Sequence, residues 1–483
     1  MYCGDVVSRG NHGCRRWHST QQVVRMSTSI KSINPANGQV VREFQTISDE
    51  ALENKIQAAH RAFAQWRTKP IEERGDILRR VGDKLAEHKD RLCALMTEEM
   101  GKPINQGPGE IDLCQAICHY TADNAPSELA DEDRELEGGR AVVSHQPIGI
   151  IFGIQPWNFP FYQVVRYAVA NLAAGNVVLL KHAPNVWGCA EALEEIMAEA
   201  GVPQDVFSVL YIQDAQASQV TAHPRVRGVT FTGSAATGRK IAADAGQHLK
   251  KTVLELGSND AFVVLADADI KKAVQACVTG RIVNGGQTCV AAKRFIVVDD
   301  IYDQFRDAYL EQMKQVAFGD PADENTQLGP LAREDLRDDL HKQVQQSIEK
   351  GATCLVGGEV PDRAGYFYPA TVLDNVKPGM PAYDEELFGP VAALIRAKDE
   401  ADALRIANDS VYGLGGGIFS EDEARAVRLA RDEFDTGMVS INGYYIAQPN
   451  LPFGGVKDSG YGREHGGFGM REFVNTKSLM IAQ

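Results

Sequence analysis

Apolar residues recur at three- and four-residue intervals near the start of the chain. Leu52, Ile56, Ala59 and Phe63, then Ile77, Leu78, Val81 and Leu85, predict two amphipathic helices between residues 48 and 95. Pro70 separates them, because proline removes a helical hydrogen bond. Gly101-Lys102-Pro103 closes another helix, and a further one is expected over 109–122. Residues 126–140 are acid-rich and weakly patterned, which predicts an extended arm ending near His145.

The rhythm then changes. Apolar runs at 148–154, 176–181, 206–211 and 226–231 read as buried strands. Between them fall helices at 161–174, closed by Gly175, at 185–201, capped by Asn185, and at 234–245. Strands alternating with helices imply a parallel sheet wound on both faces, with ligands held beyond the carboxyl ends of its strands. A second α/β pattern follows Glu255, with strands near 262–265, 295–298, 391–395, 416–419 and 438–442 and helices at 301–316 and 331–350. The fold class is α/β with two doubly wound units.

At 483 residues the chain exceeds one core, and 44% hydrophobic with 24% charged residues is the balance of a globular protein. Its net charge of −15 argues against nucleic acid or an anionic membrane as partner. No apolar run is long enough to span a bilayer. Nine scattered cysteines, an odd count without paired spacing, read as reduced thiols of a cytoplasmic protein. Cys114 and Cys118 beside His119 lack a second pair at zinc spacing, so no metal site is expected. Residues 1–26 carry four arginines against one acid, and read either as an upstream extension or as a mitochondrial transit segment that would place the protein in the matrix.

Four stretches carry candidate chemistry. Asn284-Gly285-Gly286-Gln287-Thr288-Cys289 places a cysteine after two glycines, in a run from Asn284 to Ala292 without charge. Such a thiol is either an inert core residue or a nucleophile whose activation comes from outside the run. Gln155-Pro156-Trp157-Asn158-Phe159-Pro160 ends the first strand of the first sheet, and Asn158 can donate two hydrogen bonds. Phe231-Thr232-Gly233-Ser234 opens a helix whose free amides suit a phosphate. In Val253-Leu254-Glu255-Leu256-Gly257 a carboxylate lies among apolar residues, where burial raises its pKa toward the range of a general base. Cys289, Glu255 and Asn158 thus form a candidate nucleophile, base and oxyanion donor.

Together with Glu386-Leu387-Phe388-Gly389-Pro390 and Pro452-Phe453-Gly454-Gly455, these stretches resemble, in order, the aldehyde dehydrogenase superfamily over residues 33–477. The resemblance implies an NAD(P)-binding domain at 27–125 and 146–254, a catalytic domain at 255–457, and an oligomerisation arm at 126–145 and 465–483 that pairs subunits into homodimers or homotetramers. It implies that the Cys289 thiolate attacks an aldehyde. Asn158 and the Cys289 backbone N–H would hold the oxyanion, and Glu255 would activate the water that hydrolyses the thioester. It assigns cofactor contacts to Lys181, Gly233, Ser234, Glu386, Phe388, Trp157, Ile154 and Pro184.

Two positions depart from the family pattern. Pro184 stands where many NAD-specific members carry a glutamate that repels a 2′-phosphate, so either NAD or NADP is expected to bind. Ser258 replaces the second glycine of Glu-Leu-Gly-Gly, which alters a close backbone approach. Arg166, eight residues after Asn158, matches an arginine that binds the substrate carboxylate in succinate-semialdehyde dehydrogenases, although Val283 replaces a second arginine of the human type. Lys181-His182-Ala183-Pro184-Asn185 is similar to a bacterial branch of those enzymes. The expected substrate is succinate semialdehyde. The alternatives are a broad short-chain or hydroxy-aldehyde dehydrogenase and a catalytically silent structural relative.

Overall fold

The strands Ile150–Gln155 and Val177–His182 are buried almost throughout. A strand covered on both faces reads as an unbroken apolar run, and this is how Ile150-Ile151-Phe152 and Val177-Val178-Leu179-Leu180 come to lie at the middle of a sheet. The computed structural model describes residues 28–482, and the expected leader at 1–26 lies outside them. The first sheet has six strands in the order Gly460–Tyr461, Lys251–Glu255, Val226–Thr232, Ile150–Gln155, Val177–His182 and Phe207–Val209. Neighbours run parallel except at one edge, where Gly460 and Tyr461 pair antiparallel with Glu255 and Leu254.

The helix Tyr162–Ala174 is buried at every position and ends at Gly175, whose φ of 94° is the left-handed conformation that glycine adopts without strain. Its start is held from outside. Glu110 Oε1 accepts from the N–H groups of Phe161 and Tyr162 at 2.9 and 3.0 Å, and the same carboxylate pairs with buried Lys102.

The second sheet has seven strands, in the order Thr353–Val356, Thr371–Asp374, Val391–Ala397, Arg294–Val298, Ala261–Val264, Gly416–Phe419 and Ser440–Ile441. In a third sheet Gly139–Pro147 lies between Val474–Ala482 and Glu132–Leu136 and pairs antiparallel with each. Its edge strand leaves Leu479, Met480 and Ile481 exposed.

Several expected elements differ. The helix Gly107–Glu128 carries on through Pro126, where an extended arm was expected to begin. The helix closed by Gly101 is present as expected, but it begins at Lys89, within the span to residue 95 given to the helix before it. Thr353–Val356 and Thr371–Asp374 are further strands of this sheet, beyond those expected. Asn185 does not cap the following helix. Pro184–Val186 form a tight turn leading straight into Trp187–Glu199, and Glu99 satisfies the first amides by accepting from Gly188 and Cys189 at 3.0 and 2.9 Å.

Candidate active site

The segment before Cys289 turns sharply, with Asn284, Gly285 and Gly286 all left-handed at φ of 55°, 65° and 73°. Gly286 is required for a reason other than a ligand. A Cβ there would lie 2.3 Å from the carbonyl oxygen of Gly389, so the close approach is to the protein's own backbone. The turn is tied to the Asn158 loop. Asn284 Nδ2 donates to the Asn158 carbonyl at 2.7 Å, and Asn158 Nδ2 donates to the Gln287 carbonyl at 3.0 Å. Gln163, the second residue of the buried helix, donates to Asn158 Oδ1 at 3.2 Å, which fixes the amide with its nitrogen toward the turn. One Nδ2 proton is engaged by Gln287. The other is available to an oxyanion.

Cys289 is half-buried. It lines a cleft of about 370 Å³ together with Asn158, Trp157, Gly233, Ser234, Glu386 and Phe388. It also packs against the apolar cluster of Val290, Leu414, Phe453, Met438, Ile446 and Ala447. Four of those residues, Met438, Ile446, Ala447 and Phe453, wall a second cleft of about 270 Å³. Cys289 therefore stands between two clefts. Burial pushes its thiol up to about 12, opposed by the positive charges of Arg166 and Lys293. Both cations lie outside the uncharged run, one on a distant helix and one just beyond it.

Glu255 ends the strand Lys251–Glu255 and is 2% exposed, with neither carboxylate oxygen hydrogen-bonded. Loss of water raises its pKa well above the ordinary carboxylate range, Arg166 opposes the rise, and Glu464 adds to it. Glu255 does not line the first cleft and lies against Gly454, where a Cβ would stand 2.8 Å from Glu255 Oε1.

Arg166 lies deeper. It is 1% exposed, and its Nε pairs with the buried carboxylate of Glu464. Nη2 donates to Thr232 Oγ1 at 3.1 Å, while Nη1 has no hydrogen-bond partner. The guanidinium stacks 4.7 Å from the ring centre of Phe453 and 5.2 Å from that of Tyr162. It lines neither cleft, but Phe453, the floor of the second, rests on it.

A model of the aldehyde dehydrogenase family matches residues 23–479. The chain belongs to the aldehyde dehydrogenase family. Among its relatives, a succinate-semialdehyde dehydrogenase [NADP(+)] of Deinococcus radiodurans is 45% identical, over 95% of this chain and 96% of that protein. The Escherichia coli succinate semialdehyde dehydrogenase [NAD(P)+] Sad is 44% identical, over 94% and 98%. The crystal structure of a Streptococcus pyogenes succinic semialdehyde dehydrogenase in complex with NADP+ superposes with a TM-score of 0.92. That pair is 38% identical, over 94% of this chain and 100% of the other.

For an aldehyde dehydrogenase a dinucleotide must fit the first cleft, and the residues present suit one. Ser234 caps the 13-residue helix Ala235–Gln247, whose N-terminal amides and dipole favour a diphosphate. Trp157 and Phe388 meet edge to face, 5.9 Å between ring centres, on the cleft wall. Gly257 has no room for a Cβ, which would lie 2.5 Å from Glu386 Oε2. The close approach in this motif is thus at Gly257, and Ser258 is accommodated: its N–H donates to Glu386 Oε1 at 3.0 Å. Ile154, Lys181 and Pro184 lie outside the cleft lining. Ile154 and Lys181 are neighbours across two parallel strands, and Lys181 Nζ is 2.9 Å from the exposed carboxylate of Asp214. Sequence reasoning missed Gln163, Lys293 and Glu464. Gln163 had a findable signal, one helical turn past a proline-fixed loop. Among the described residues no helix is long and apolar enough to cross a membrane, and no acid, histidine and cysteine cluster is set to hold a metal.

Proposed function

We propose that the protein oxidises succinate semialdehyde to succinate with NAD or NADP, through a covalent intermediate on Cys289. The observation that carries this reading is Cys289 between two clefts, one with a helix N-terminus for a dinucleotide and one apolar for an aldehyde. The Cys289 thiolate attacks the carbonyl carbon. The free Nδ2 proton of Asn158 and the Cys289 backbone N–H hold the oxygen of the thiohemiacetal. A dinucleotide held at the Ser234 helix and against Trp157 and Phe388 would supply the acceptor for the hydride, and its loss would leave a thioester on Cys289. Glu255, unpaired and raised in pKa, takes a proton from the water that attacks that thioester, and the acid leaves.

In this reading Ser234 and the first amides of its helix bind the diphosphate, Glu386 and Lys181 bind the riboses, and Trp157 and Phe388 flank the nicotinamide. Ile154 packs at the adenosine end. At Pro184 no carboxylate opposes a 2′-phosphate, so both cofactors support turnover. Rates measured with NAD and with NADP at saturation are expected to agree within about 100-fold, less than the roughly 3 kcal/mol a buried like-charge clash would impose. A larger ratio in favour of NAD removes Pro184 from that role. The exposed edge strand Val474–Ala482, with its apolar tip, suits pairing with another copy in a homodimer or homotetramer. The first sheet carries the cofactor domain and the second the catalytic domain, and the bacterial relatives favour a cytoplasmic site of action.

Arg166 is the proposed carboxylate anchor. Its unpartnered Nη1 and its place beneath Phe453 leave one donor for an anion entering past that ring. Arg166→Lys keeps a charge for Glu464 but loses the planar fork. It is expected to lower kcat/KM for succinate semialdehyde about 10–100-fold, and for butyraldehyde by less than about threefold. Equal losses for both aldehydes would return Arg166 to a structural role and favour the broad-specificity reading.

A further inference from the structure

Lys293 begins the return from the nucleophile turn into the central strand Arg294–Val298, and it is 1% exposed. A buried ammonium needs acceptors for its three protons, and here four oxygens surround it. It lies 2.6 Å from the carbonyl oxygen of Cys289, 2.8 Å from Ser258 Oγ and 3.2 Å from the carbonyl oxygen of Thr288. Glu386 Oε1 is 3.3 Å away. The side chain therefore grips the backbone on both sides of the nucleophile. Ser258 Oγ, at the position of the departed glycine, also donates to the Cys289 carbonyl.

We propose that Lys293 is a positioning residue of the reaction: it acts through the Thr288–Cys289 peptide to aim and polarise the oxyanion-binding N–H, and through space to favour the Cys289 thiolate. This rests on the proposed function for the identity of the nucleophile. The Thr288 carbonyl and the Cys289 N–H are two ends of one planar, conjugated amide. A cation at the oxygen draws density from the nitrogen, so the N–H becomes a stronger donor to a developing oxyanion. The grip on the Cys289 carbonyl fixes the next peptide, so the N–H direction and the thiol position are set together. Glu386, from the dinucleotide cleft, shares the ammonium and ties the same backbone to the cofactor side.

The charges that face the thiol are Arg166 and Lys293 as cations and Glu255 and Glu386 as anions, with Tyr162 and Tyr444 as neutral phenols close by. Asp260 and Glu386 face Lys293. Arg166 is paired with the buried carboxylate of Glu464, and Lys293 faces one buried carboxylate, Asp260, and one partly buried, Glu386.

The test uses the full-length protein without substrate. Alkylation of Cys289 by iodoacetamide is followed by peptide mass from neutral to alkaline pH, with Cys289→Ala as background, and kcat and KM are measured alongside. Lys293→Met, neutral and of similar length, is expected to slow alkylation at neutral pH about 10-fold, the effect of one unit in thiol pKa. It should lower kcat about 10-fold and leave KM for the aldehyde within threefold, and Lys293→Arg should restore most of both. If Lys293→Met does not melt cooperatively, Lys293→Gln, which keeps a donor without charge, carries the same comparison. Unchanged alkylation and unchanged kcat in a folded neutral variant overturn the inference. A wild-type protein that alkylates normally but forms no NAD(P)H from any aldehyde overturns the proposed function instead, while the alkylation comparison still reads the effect of Lys293.

Discussion

Cys289→Ala is expected to abolish NAD(P)H formation, with kcat reduced at least about 10⁴-fold, while NADPH still binds. The size follows from the absence of a substitute. Alanine leaves no group to form the thiohemiacetal, and among the described cysteines no other lines the cleft. Cys93, Cys114, Cys118, Cys189 and Cys277 are buried, and loss of water raises the pKa of each thiol. The dinucleotide cleft keeps its other walls, including Trp157, so fluorescence titration with NADPH should give a Kd within about threefold of wild type. This scale is set by the few apolar contacts that one truncated side chain removes. Retained turnover in the alanine variant would refute covalent catalysis at this residue, and a silent relative would be recognised by wild type and variant being equally inactive.

Glu255→Gln separates the two halves of the reaction. The amide is nearly the same size but cannot take a proton, so acylation and its single burst of NAD(P)H persist while steady-state turnover falls about 10²–10³-fold. The wild-type pH profile carries the same information. Only the ionised carboxylate is a base, and burial raises the Glu255 pKa. Deacylation should accordingly rise with pH through a limb lying above the ordinary carboxylate range, and that limb should vanish in Glu255→Gln. Rapid-mixing absorbance for the burst and steady-state rates across pH measure both. A glutamine variant whose steady state is undiminished would remove Glu255 from deacylation.

Much of the cofactor sheet was legible because its strands are buried on both faces and its helices are amphipathic or wholly buried, as in the run from Tyr162 to Ala174. The placement of Cys289, Asn158, Gly233 and Glu386 on one cleft came from motif order, since no local pattern tells residue 158 that residue 287 will accept its hydrogen bond. What escaped was set by pairing across long distances. Glu464 reads as an ordinary acid until the fold brings it to Arg166, and Lys293 reads as a surface lysine until four oxygens enclose it. Arg166 itself is a charge among apolar neighbours, Val164, Val165, Tyr167 and Val169. Its ion pair, not its exposure, explains how the protein tolerates it there. Asn185 misled because a carboxylate 86 residues earlier does the capping that its own side chain suggested.

The antiparallel pairing of Gly460 and Tyr461 with Leu254 and Glu255 has a consequence for synthesis. Phe453, Glu464 and this edge strand all lie within residues 453–464, yet they touch Arg166 and Glu255, encoded far upstream. A nascent chain therefore carries Cys289 for about 170 residues of elongation before Glu464 and the strand that borders Glu255 exist. A ribosome that stops early releases a polypeptide with the Arg166 charge stranded in an apolar interior, a defect worth about 3–5 kcal/mol.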